Sequence, residues 1–104
     1  MAILNKLAFT VDSVGNNTFV RIPALHIENI ELVGGVPGTF DAPEGTTSLI
    51  FSANGEYWVN PNGSTAAVCA GGSELNPMGY QISNETRISI IAPEDVKMSI
   101  CCYA

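Results

Sequence analysis

Apolar residues recur at every second position in short runs along this chain, and no window of about twelve residues repeats at the 3.6-residue period of a helix. That alternation is what a half-buried strand requires, because successive side chains leave a strand on opposite faces. The clearest run is Val96 to Tyr103, which sets Val96, Met98, Ile100 and Cys102 on one face and Lys97, Ser99, Cys101 and Tyr103 on the other. The adjacent thiols therefore point apart, which disfavours a vicinal disulfide.

The same reading along the chain predicts a first strand with Ile3, Leu7, Phe9 and Val11 on one side. A turn at Gly15-Asn16-Asn17 then leads into Thr18–Ile22. From Leu25 to Val33 the alternation slips by one residue, which predicts a bulge near Asn29. Gly34 to Gly45 reads as one long irregular loop. Asn54-Gly55 between apolar runs predicts a two-residue hairpin joining Thr46–Ala53 to Glu56–Val59. After a turn at Asn60-Pro61-Asn62-Gly63 come Thr65–Cys69, a second loop from Ala70 to Met78, Tyr80–Ile82 and Arg87–Ile91, with a turn at Pro93-Glu94-Asp95. Eight or nine short strands at roughly ten-residue spacing, with no long helix, predict an antiparallel β-sandwich of jelly-roll-like build. The whole span 1–104 is the size of one domain.

Composition enters where partners are concerned. The chain is 46% apolar and 13% charged, against about 25% charged in an ordinary soluble domain. So small a body would leave much apolar surface in water, which predicts cover by other subunits. A membrane is not expected, since no stretch approaches 18 consecutive apolar residues. The net charge is −6 and the four cations Lys6, Arg21, Arg87 and Lys97 are scattered, so no cluster exists to neutralise nucleic-acid phosphates. The segment Met1–Phe9 lacks the basic leader and apolar run of a secretory signal, which predicts synthesis in a reducing cytoplasm. In that setting the Asn-x-Ser/Thr sites at Asn16, Asn62 and Asn84 read as turn chemistry rather than glycan acceptors.

No set of residues predicts catalysis, and the chain is not expected to be an enzyme. His26 is the only histidine. It shares a strand face with Glu28, so an imidazole–carboxylate pair can form, but a surface or interface role is favoured over a general base. One histidine and three cysteines (Cys69, Cys101, Cys102) match no metal spacing, and the thiols are expected to be free and buried. Asp41/Glu44 and Glu94/Asp95 supply too few oxygens to define a calcium site. The glycines at 34–35 and 71–72 precede no helix that would cradle a phosphate. No cofactor and no metal is expected.

The aromatics offer interface chemistry instead. Tyr57 and Trp58 are adjacent in a strand, so one faces in and the other out, and Tyr103 stands beside the last position. The Gly34–Gly45 loop carries Val36, Pro37, Phe40 and Pro43 with only two charges. Phe40 therefore either inserts into a neighbouring subunit or caps one end of its own sandwich.

Thr65-Ala66-Ala67-Val68, followed by Gly71-Gly72-Ser73-Glu74-Leu75-Asn76-Pro77, resembles small virion proteins encoded near the capsid genes of tailed bacteriophages. The stretches Ile88-Ser89-Ile90-Ile91-Ala92-Pro93 and Val96-Lys97-Met98-Ser99-Ile100 share the likeness, which covers residues 46–104. In those proteins a hairpin-rich β-sandwich of about this size decorates or cements the head shell, commonly as a trimer. The resemblance implies a structural, self-associating virion protein whose partners are copies of itself and a capsid or other virion protein, and it carries over no catalytic residue. The alternative is a carbohydrate-binding or host-recognition β-sandwich with Trp58 and Tyr57 as its stacking platform.

Overall fold

The computed structural model describes residues 3–11, 13–15, 17–82 and 87–104, so the Asn16 and Asn84 acceptor sites lie outside the described residues. The chain is all-β and forms a sandwich of two four-stranded antiparallel sheets with a separate two-stranded hairpin. Among the described residues the ten strands are β1 Phe9–Val11, β2 Asn17–Arg21, β3 His26–Leu32, β4 Gly38–Asp41, β5 Ser48–Ala53, β6 Trp58–Asn60, β7 Glu74–Leu75, β8 Gly79–Gln81, β9 Arg87–Ile91 and β10 Val96–Tyr103. One sheet has the order β3-β10-β5-β8 and the other β4-β9-β6-β7. The pairings are nested: β3 with β10, β4 with β9, β5 with β8, and β6 with β7. It is as though one long hairpin turning between β6 and β7 had been rolled up. Additional pairing of β10 with β5 and of β9 with β6 closes each sheet.

Between the sheets lies one core. Leu49, Phe51, Met98, Ile100 and Cys102 enter from the first sheet, Phe40, Val59, Ile88 and Ile90 from the second. The inward set read from the last strand holds, with Val96, Met98, Ile100 and Cys102 all buried. Its outer set does not all face water. Lys97 is exposed, but Cys101 and Tyr103 are buried because the N-terminal segment crosses the sheet there. The bounds of β9 and β10 match the sequence reading.

Several expectations are corrected. Asn54-Gly55 makes no hairpin, because β5 and β6 belong to different sheets. Both flanks of β5 are already taken by β10 and β8, and Asn54 instead accepts the Lys97 N–H on its Oδ1 at 2.9 Å. No bulge occurs at Asn29: β3 pairs with β10 without a slip from Leu32↔Val96 to His26↔Cys102. His26, Glu28, Ile30 and Leu32 therefore share the inner face and Ile27 turns outward at 51% exposure. Regular β10 sets this register, and the half-buried His26 and Glu28 partner each other (Nε2···Oε1 3.2 Å) at the sheet edge. The Gly34–Gly45 segment contains β4, and Thr65–Cys69 forms no strand. Residues 3–8 likewise form no strand, so β1 is limited to three residues.

Candidate functional site

The residues singled out for an interface separate into buried and exposed groups. Phe40 is 3% exposed and pairs opposite Ile88 inside the sandwich, so it is a core residue and not an anchor. Tyr103 is fully buried, its hydroxyl donating to the Ile22 carbonyl at 2.6 Å, which corrects its expected place on an interface. Tyr57 is also buried: its ring packs edge-on against Phe51 at 6.2 Å and its hydroxyl donates to the Pro77 carbonyl. Trp58, one position on, is half-buried with its indole N–H donating to Glu56 Oε2 at 2.9 Å. Tyr57 is buried just before β6 whereas Trp58 on β6 is half-buried, so the pair does not form one exposed stacking platform. Of the five residues, Val36 alone is largely exposed, at 55%.

The N-terminal segment supplies the main apolar surface. Among the described residues, seven of the twelve exposed large apolar side chains lie between residues 3 and 27, including Ile3, Phe9, Val14, Val20 and Ile22. Single exposed hydrophobics are ordinary on any protein surface, whereas a cluster marks contact with something else. Strands β1 and β2 pair only with each other among the described residues. A lone two-stranded hairpin is marginal in water and gains stability when a further surface covers it. Asn5 holds the base of this arm. Its Oδ1 accepts the Leu25 N–H, its Nδ2 donates to the Pro23 carbonyl, and its own carbonyl accepts the Ala104 N–H.

A groove of about 720 Å³ runs between the arm and the outer face of the first sheet. Its floor follows from register: Ile50 lies between Cys101 on β10 and Gly79 on β8, facing away from the core. Phe9 and Val20 of the arm form one wall, and Met78, 85% exposed, stands at the lip. Gly79 cannot carry a side chain, since a Cβ there would lie 2.1 Å from the Leu49 carbonyl oxygen. Glu74 lies close by, accepting the Tyr80 hydroxyl at 2.6 Å. That carboxylate and burial raise the Tyr80 pKa, burial contributing most.

The remaining polar chemistry is structural. Arg87 grips Asp41 through Nε at 2.7 Å and Nη2 at 3.2 Å across paired strands, and holds the Asp41 carboxyl below its usual range. Asp95 Oδ1 accepts the Gly34 N–H at 2.8 Å, tying the loop before β10 to the one after β3. All three thiols are free, but only Cys101 and Cys102 are buried; Cys69 is exposed, which corrects the expectation for that residue. Arg21 donates to the Cys101 sulfur at 3.6 Å, and burial pushes the Cys102 thiol up to about 12. Among the described residues no three potential metal ligands gather at one point, and no helix is long and apolar enough to cross a membrane.

Sequence reasoning missed Asn5, Met78 and the groove. One signal was present: Val11 and Phe9 alternate in one parity while Phe19, Val20 and Ile22 occupy both, more apolar side chains than a one-sided strand can bury. Compared with known proteins, the chain matches no family model, no curated protein and no solved structure.

Proposed function

We propose that this chain is a structural, self-associating protein of a phage virion, a head decoration or cement protein acting through protein–protein contact. The observation that carries the reading is the concentration of exposed apolar side chains between residues 3 and 27, on a sandwich that already has a core of its own. Burying that surface against another subunit contributes about 25 cal/mol per Å², less the cost of ordering and association. The nested strand pairing supports reading the sandwich as a jelly roll, a build that recurs in viral shells. Its partners are copies of itself, with a trimer favoured, and a shell protein, so its place is the virion, assembled from chain made in the host cytoplasm.

Light scattering coupled to size exclusion tests the association. The expected result is a discrete oligomer at concentrations on the order of tens of micromolar. A sole species at the monomer mass of 11.0 kDa would overturn the reading.

A further inference from the structure

We propose that the groove between the hairpin and the first sheet binds a single-chain aliphatic carboxylate, with Arg21 receiving the head group and Ile50 and Met78 bordering the tail. One chain builds the whole site, so the inference goes beyond the self-association proposed above and does not depend on it.

Arg21 is the reason the groove calls for an anion. Among the described residues it is the one charged side chain that lines the groove, and it is half-buried there. A guanidinium carries five N–H donors in a planar fork. Arg21 donates to the Cys101 sulfur at 3.6 Å, and a thiol sulfur is a weak acceptor. Among the described residues the ion pairs are His26–Glu28 and Arg87–Asp41, so none of their carboxylates neutralises Arg21. A cation held against apolar walls gains most from a carboxylate, which accepts two parallel N–H···O bonds from the fork. Glu74 does not supply that carboxylate. Tyr80 pairs opposite the buried Leu49 and packs its ring against Phe51 at 5.9 Å, so the Glu74 that holds its hydroxyl lies toward the other face of β8.

The groove is also amphipathic in the way such a ligand needs. Register sets two rows across the outer face of the first sheet: Tyr103, Ser48 and Gln81 in one, Cys101, Ile50 and Gly79 in the next. Arg21 sits at the β10 end of these rows, against Cys101, and Ser48 and Gln81 add polar lining along the first. The second row runs over Ile50 to Gly79, which has no side chain to block it, and Met78 stands beyond at the lip. Neighbouring strands lie about 4.8 Å apart, so the path from β10 to β8 is about 10 Å, the reach of a chain of roughly eight carbons. Phe9 and Val20 wall that path from the arm. The volume of about 720 Å³ falls within the range of small-molecule sites.

Labelled decanoate and decan-1-ol share a tail and differ in the charge of the head. Equilibrium dialysis of each at neutral pH, against protein dilute enough for light scattering to find single chains, tests the assignment. Decanoate should bind about tenfold more tightly than the alcohol, the contribution of a charged hydrogen bond. Arg21→Gln should lower decanoate to the alcohol's affinity and leave the alcohol unchanged. Arg21→Lys keeps the charge without the fork and should retain part of the difference. Met78→Ser, at the exposed lip, should weaken both ligands alike. All three variants should keep the parental circular dichroism. Equal binding of the two ligands by the parent, or a decanoate preference that survives Arg21→Gln, overturns Arg21 as receptor of the head group. Decanoate that fails to saturate the parent below the concentration at which it forms micelles overturns the site itself.

Discussion

Phe40 sits between Thr39 and Asp41, both exposed, while its own ring is 3% exposed. From sequence its surroundings of glycine and proline look like a loop, and nothing local says which way the ring turns. Register decides it: pairing with Ile88 places Phe40 on the inner face of β4, and the Asp41–Arg87 pair one position on stays in water. An exposed ion pair of that kind contributes little to stability, so the ring's burial is the main term. Phe40→Ala should therefore cost about 3–5 kcal/mol, as large-to-small changes in well-packed cores do. The loss should appear in the denaturant midpoint of the dissociated chain, with association at low temperature unchanged. A variant with parental stability and lost association would return Phe40 to the interface.

At the scale of elements, legibility depended on how much of a strand's partner is implied by its own pattern. Strand β10 is eight residues long with an alternating start, and β9 is a short apolar run closed by the Pro93-Glu94-Asp95 turn, so the bounds of both could be read directly. Strands β4 and β7 could not, because four and two residues among Gly, Pro and Asn carry too little period. Asn54-Gly55 misled for a different reason: a turn dipeptide reports a reversal, but not whether the chain returns beside itself or crosses to the facing sheet. The arm shows the same limit. Its apolar content was visible, yet whether it lay on the sandwich depended on side-chain contacts made by Asn5, which no periodicity encodes. Asn5→Ala removes two hydrogen bonds at the arm's base, each contributing about 0.5–1.5 kcal/mol. The arm should then open more often, and limited proteolysis under dissociating conditions should cut within residues 3–25 several-fold faster, with the sandwich fragment surviving. Cleavage at the parental rate would mean that Asn5 does not hold the arm.

The molecule as a whole is elongated, 45 × 29 × 23 Å with a radius of gyration of 14.4 Å, against about 13 Å for a compact chain of this length. Low charge and high apolar content predict exposed apolar side chains but not where they lie, since that follows from which apolar residues the core leaves outside. The same core makes stability depend on alkali. Burial, then the nearby Glu28 and Cys101, raise the Cys102 thiol from 9.0 to about 12, and burial likewise raises Tyr57, Tyr80 and Tyr103 above their usual 10.0. In the unfolded chain these groups lose their protons from about pH 9 upward, whereas the folded chain keeps them. Between pH 9 and about 12 the folded state thus holds more protons, so stability is fully present below pH 9 and falls as pH rises, by about 1.4 kcal/mol per pH unit for each proton that differs. Urea midpoints measured at fixed protein concentration in reducing buffer should be level from pH 7 to 9 and decline steadily to pH 11. Cys102→Ala should move the onset of the decline toward pH 10, where the raised tyrosines begin to hold protons that the unfolded chain loses. Midpoints level to pH 11 in the parent would mean that these groups ionise as readily folded as unfolded, and that the buried thiol and phenols are reached by water.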